Sequence, residues 1–151
     1  MKDKLFKIGA ILWYLTALVT IGFGLMYFFR NDIMPYHYAF LHTDHESLYQ
    51  FNDQIVPLML AFMKIIGSSY VGIGIGMILL NAFGVKRKER WAWWAFFASS
   101  SFPLITTYII TLIVSANIES GPKPPSYLAF ALILLSILGA ALTFKSVFGS
   151  K

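Results

Sequence analysis

Every histidine of the chain lies in one stretch, PYHYAFLHTDHESLYQFND, as His37, His42 and His45. Asp44, Glu46 and Asp53 lie in the same stretch. Imidazole and carboxylate together suit zinc, so His37, His42 and His45 with an oxygen from Asp44 or Glu46 form one candidate metal set. The spacing argues against it, because HTDHE matches neither H-E-x-x-H nor H-x-x-E-H. A metal would also leave Thr43 idle. Thr43-Asp44-His45-Glu46 instead fits S/T-x-x-E, the capping box, in which threonine takes an orphan backbone N–H and glutamate returns a bond to the cap. That pattern predicts no resident metal and a short helix over DHESLYQF, with Leu48 and Phe51 resting on a membrane surface. The third use of such a loop is a site for a ligand or partner.

Lys64 is the other residue that could do chemistry. It is the single formally charged side chain inside four long apolar runs. One reading is snorkelling, with the ammonium reaching the headgroups beyond the hydrocarbon. The other is an interior lysine, since intramembrane ionisable residues usually face the bundle and mark function. At about 100° per residue, Lys64 falls between two small-residue stripes of its helix, which favours the bundle side. A pocket lined by Lys64, Tyr108, Thr107 and His37 would accept an anionic or carbonyl-bearing lipophile. His37 and Lys64 are then the candidate catalytic acid and base, if burial brings both pKa values toward neutrality.

The elements that must position these residues are set by hydropathy. The chain has 151 residues, of which 58% are hydrophobic and 13% charged, with mean hydropathy +0.67. A hydrocarbon core of about 30 Å needs about 20 apolar residues of helix. Four runs qualify: Ile8 to Phe29, about Pro57 to Phe83, about Trp91 to Ala116, and about Ser126 to Phe144. They leave no length for a folded aqueous domain. The first run is too long for a signal-peptide core and lacks an A-x-A-like site, so it reads as a retained helix. There is no cysteine, which removes disulfides, thiolate metal sites and thiol nucleophiles.

The net charge of +5 is an orientation signal rather than a nucleic-acid footprint. Nine of the twelve cations fall on one side of a four-span topology: Lys2, Lys4, Lys7, Lys86, Arg87, Lys88, Arg90, Lys145 and Lys151. Positive residues stay cytoplasmic, so both termini are expected inside and the histidine loop outside. No span contains Asp, Glu or His, which disfavours a proton relay or cation channel.

Packing is read from small residues, which let backbones approach in lipid. Ser68, Gly72 and Gly76 form one stripe of the second span, and Gly67 and Gly74 another. Two such faces place that helix at the centre of the bundle, although the glycines could instead cradle a ligand. Ser136 and Ala140 give the fourth span a smaller version. Pro103 predicts a kink that frees the Ser99 carbonyl. Trp91, Trp93 and Trp94 predict an interfacial belt.

With PYH at Pro35 to His37, AFMKIIG at Ala61 to Gly67, the glycine-rich run and KRKERWAWW, the chain resembles small bacterial four-helix membrane proteins grouped as DoxX-like. The resemblance runs over nearly the whole length in hydropathy. Some of those proteins associate with quinone-linked oxidoreductases, so it implies a quinone or a redox partner and a place in the bacterial inner membrane. It carries no settled functional residues.

The expectation is an all-α, integral membrane four-helix bundle, with both termini cytoplasmic and a partly helical outer loop between the first two spans. The helices are placed at about residues 5–30, 53–83, 91–117 and 125–148. The leading functional reading is a non-catalytic accessory or assembly subunit, with a membrane-protein partner or a second copy and with membrane lipids around it. The alternative is a lipid- or quinone-binding protein, or an enzyme, using the pocket near Lys64 and His37.

Overall fold

The computed structural model describes residues 2–149, with the side chains of residues 2 and 3 left aside. The described residues form helices and no strand. These are α1 (Lys2–Phe28), α2 (Pro35–Phe40), α3 (His45–Phe51), α4 (Ile55–Leu79), α5 (Arg90–Ala116) and α6 (Ser126–Phe148). A π-helical segment, Leu80–Gly84, and a 3-10 turn, Val85–Arg87, extend α4 toward α5. Four of these elements are long and apolar enough to cross a membrane: Lys4–Phe28, Ile55–Arg87, Arg90–Ala116 and Ser126–Phe148. The chain thus has the build of an integral membrane protein. Its many exposed leucines, isoleucines and phenylalanines, such as Ile11, Leu18, Phe62, Ile65, Phe102 and Ile113, are what a helix facing lipid presents.

The central helix is α1, which packs along both α4 and α6, while α6 in turn packs on α5. This corrects the expectation that the second span sits in the middle. Of its two small-residue stripes, only Gly67 and Gly74 are buried. A Cβ on Gly67 would stand 2.6 Å from the Gly24 carbonyl oxygen, and one on Gly74 would stand 2.9 Å from that of Ala17. The α1 backbone can come this close because α4 carries no side chain at either position. A Cβ on Gly72 or Gly76 would meet nothing within 4 Å, so that stripe turns away from the neighbouring helices. On the other side of α1, Gly9 lies against the Gly139 carbonyl of α6 in the same close manner as Gly67 against Gly24.

The basic end of the bundle is tightly tied. Trp13 is fully buried, stacked on Phe96 with ring centroids 4.1 Å apart, and its Nε1–H donates to the Ser136 carbonyl at 2.9 Å. Ser100 and Ser136 share a hydroxyl bond of 2.7 Å between α5 and α6. The π-helical turn brings Asn81 inward, where its amide donates to the Ala10 carbonyl at 2.8 Å. Lost packing alone would make Trp13→Ala cost about 3–5 kcal/mol. Trp93 is not part of an interfacial belt: it is buried and donates through Nε1 to Thr143 at 2.8 Å, whereas Trp91 and Trp94 are exposed. Lys88 lies 5.6 Å from the Phe6 ring and Arg90 lies 5.7 Å from the Phe148 ring. Those contacts gather the start of α1, the 85–89 turn and the end of α6 at one end.

At the histidine end, the 29–54 connection folds into α2 and α3. Asp44, not Thr43, caps α3, with its carboxylate accepting from Ser47 N–H at 2.8 Å. The shorter carboxylate at the cap position makes a charge-assisted bond. Thr43 only reaches the Asp44 carbonyl, at 3.5 Å, and Glu46 accepts from the Gln50 amide at 3.4 Å. Leu48 turns into a cluster with Ile33, Met34, Val56 and Met63 instead of lying on a membrane surface, while Phe51 is exposed.

Candidate functional site: a cleft between α4 and α5

Helices α4 and α5 are held together at the basic end, where α5 packs on the π-helical segment, and touch little elsewhere. They therefore splay toward the histidine end. The gap is a cleft of about 670 Å³, floored by α1 and α6 and roofed by α2 and the 124–125 turn. Its walls follow helical periodicity. On α4 the lining includes Met59, Met63, Ile66, Tyr70 and Ile73; on α5 it includes Pro103, Thr107, Ile110 and Val114. Steps of three and four residues keep each set on one face. Helix α5 runs unbroken through Pro103, whose ring forms part of the wall.

Besides Thr20, Ser69, Thr106 and Thr111, hydroxyls are paired with each other at two levels. Midway, the Tyr70 and Thr107 hydroxyls form a hydrogen bond that crosses from α4 to α5. At the histidine end, the Tyr27 hydroxyl of α1 bonds to the Tyr36 hydroxyl of α2, beside His37. Phe23 links the levels, with ring centroids 4.8 Å from Tyr27 and 5.6 Å from Tyr70. Among the described residues, no Lys, Arg, Asp or Glu lines the cleft. Its mouth is edged by the exposed Phe62, Ile66, Phe102, Ile110 and Leu128.

His37 occupies the third helical position of α2, where its Nδ1 accepts the Met34 N–H at 3.3 Å. That bond takes the part a glutamate plays in a capping box. It also fixes the tautomer, leaving Nε2–H as the ring's remaining donor. Burial pushes the His37 pKa below its ordinary value, so the ring is neutral near pH 7. Burial likewise raises the Tyr36 hydroxyl, and the neighbouring Tyr27 raises it further, so Tyr36 stays protonated. His37 is thus a neutral donor, and the Tyr27–Tyr36 pair keeps one hydroxyl hydrogen to give.

Of the four residues expected to form a pocket, His37 and Thr107 line this cleft and Lys64 and Tyr108 do not. Lys64 is exposed, one step past Met63 on α4, and is therefore turned off the lining stripe. Tyr108, one step past Thr107, turns toward Phe130 of α6, with centroids 5.5 Å apart. Lys64 and His37, the candidate acid and base, are thus not brought together in this cleft. Sequence reasoning passed over Tyr27, Tyr36 and Tyr70, although the stripe Met59, Met63, Ile66, Tyr70 and Ile73 was available as a signal.

The remaining histidines lie elsewhere. His45 Nδ1 sits 2.7 Å from the Tyr38 hydroxyl and 3.5 Å from Asp32, in an exposed cluster. His42 has a left-handed backbone, at φ 50°, and is exposed. Among the described residues, no three His, Asp or Glu side chains come together as a metal set, so His37, His42 and His45 do not form one. Comparison with protein-family models, with curated proteins and with solved structures finds no match to this chain.

Proposed function

We propose that the protein binds one lipophilic molecule in the α4–α5 cleft, taken sideways from the bilayer. The observation that carries this is a cleft of about 670 Å³, walled mainly by apolar side chains, free of charged ones among the described residues, and opening past Phe62 and Phe102. Sites for small molecules are of this size and mix many apolar walls with a few placed polar groups. The Tyr27–Tyr36 pair and His37 supply donors at one end, so the ligand carries an acceptor such as a ring or ester carbonyl at its head. A quinone or a neutral lipid meets that description, and the resemblance to DoxX-like proteins adds weight to the quinone. The activity in this reading is binding the lipophile or handing it over. By the positive-inside rule the basic end is cytoplasmic and the histidine end faces out, across the bacterial inner membrane.

A second reading, an accessory or assembly subunit, is favoured by one specific feature. Ser68 and Gly72 are exposed and Gly72 and Gly76 have open space beside them, a face suited to another transmembrane helix. The two readings are compatible.

The test is lipid extraction and mass spectrometry of protein purified in mild detergent, for the native chain and for Tyr36→Phe, His37→Ala and Lys64→Met. One enriched lipophile is expected, with occupancy lowered by the first two substitutions and untouched by the third. Bulk membrane composition in every sample, or equal loss with Lys64→Met, would defeat the reading.

A further inference from the structure

A second groove lies at the opposite, basic end, on the face of α1 turned away from the cleft. It has about 600 Å³ and is lined by Phe6, Lys7, Ala10, Ile11, Tyr14 and Lys86. Phe6 and Ala10 are buried and make its floor. The Asn81 amide, bonded to the Ala10 carbonyl, pins that floor to the π-helical segment. Both lysines are exposed, and neither forms an ion pair among the described residues. The Lys86 ammonium does not extend away from the bundle. It folds back over the Tyr14 ring, 5.1 Å from the centroid. Tyr14 stands seven residues beyond Lys7, about 10 Å further along α1 at the helical rise. The Lys86 cation is thus carried back along the apolar groove that Lys7 also lines. The Tyr14 hydroxyl has no hydrogen-bond partner among the described residues. Among the described residues, no acidic side chain lines the groove.

We propose that this groove is a binding site for an anionic phospholipid. Its headgroup phosphate lies between the Lys7 and Lys86 ammonium groups, Tyr14 donates to a phosphate or ester oxygen, and an acyl chain runs along Ile11. Charge complementarity selects the anion. The apolar floor and the depth of Lys86 select a lipid over a soluble phosphate, since a free ion gains nothing from Phe6 or Ile11. A basic pocket between helices at a headgroup surface is built for such a ligand. The site is separate from the α4–α5 cleft and stands or falls without it.

Native mass spectrometry from mild detergent, with equal phosphatidylglycerol and phosphatidylcholine present, tests it. The native chain should keep phosphatidylglycerol preferentially, and Lys7→Gln and Lys86→Gln should each cut that preference by on the order of fivefold. Tyr14→Phe should weaken it less. Lys4→Gln, an exposed lysine outside the groove, should leave it unchanged. Equal loss with Lys4→Gln would mean general attraction to the basic end and would overturn the site, as would equal retention of both lipids. Displacement of the lipid by millimolar inorganic phosphate would overturn the lipid assignment. Both lysines are exposed, so the variants should fold, and unchanged thermal unfolding confirms that they do.

Discussion

The hydroxyls of Tyr70 and Thr107 are bonded across a gap that α4 and α5 otherwise leave open. The bond ties the cleft walls at mid-height, and it joins neutral groups in an apolar surround. Hydrogen bonds between transmembrane helices average about 0.6 kcal/mol, up to about 1.7. Tyr70→Phe and Thr107→Val should each lower stability by about that much, and the double variant should lose little more than either single one. Thermal unfolding in detergent, arranged as a double-mutant cycle, measures the coupling. Additive losses would mean that the two hydroxyls act separately.

The cleft's roof should be sensitive to mild acid. Burial holds the His37 pKa below its ordinary 6.5, so the neutral ring favours the folded loop. That stabilisation is complete above about pH 6.5 and is lost as pH falls through the lowered folded value. Protonation would also put a hydrogen on Nδ1, which now accepts from Met34. Hydrogen-exchange protection of residues 34–41 should therefore be full above about pH 6.5 and fall as the pH is lowered below it. His37→Gln keeps an acceptor at the third helical position and removes the titration, so its protection should stay level. Asp32 does not mimic this. Partial burial raises its carboxyl, but bonds from Tyr38 and the Ile33 N–H and the nearby His45 outweigh that and hold it below 3.8. Its stabilising effect is lost only in stronger acid.

The four spans were legible because hydropathy and length add along the chain without reference to any partner. Which face of a span turns inward was not, since that depends on what it packs against. In α4 the stripes Gly67/Gly74 and Ser68/Gly72/Gly76 look alike as sequence, yet only the first meets α1. The same limit explains Lys64 and Tyr108. Each adjoins a true lining residue, Met63 or Thr107, and one step along a helix turns a side chain by about 100°. His37 was legible as chemistry but not in its role, because its bond to Met34 closes a turn that capping patterns written for glutamate do not describe. Asn81 was missed because the π-helical turn that swings it inward breaks the period on which face assignments rely.

The glycines of α4 give opposite expectations on the two faces. Gly67→Ala places a methyl 2.6 Å from the Gly24 carbonyl, so α1 and α4 must separate, at about 1–3 kcal/mol. Gly72→Ala meets nothing within 4 Å and should be neutral or slightly stabilising in the isolated protein. Unfolding in detergent separates them. If Gly72→Ala leaves the fold intact but removes a protein that co-purifies with the native chain, the exposed stripe is where that protein docks.

The start of α3 distinguishes two caps that the sequence allows at adjacent positions. Asp44 holds the Ser47 N–H, and that backbone bond keeps its carboxyl below the ordinary value of 3.8. Thr43 reaches no free N–H of the helix. Asp44→Ala should therefore reduce exchange protection across residues 45–51 by on the order of fivefold, with Thr43→Ala close to native. Asp44→Asn should recover much of the loss, since an amide oxygen can still accept. Because Leu48 of this helix shares a cluster with Met34, whose N–H bonds to His37, and with Met63, which lines the cleft, loosening α3 should also lower lipophile occupancy of the cleft. A variant that frays α3 yet keeps full occupancy would show that the roof rests on α2 alone.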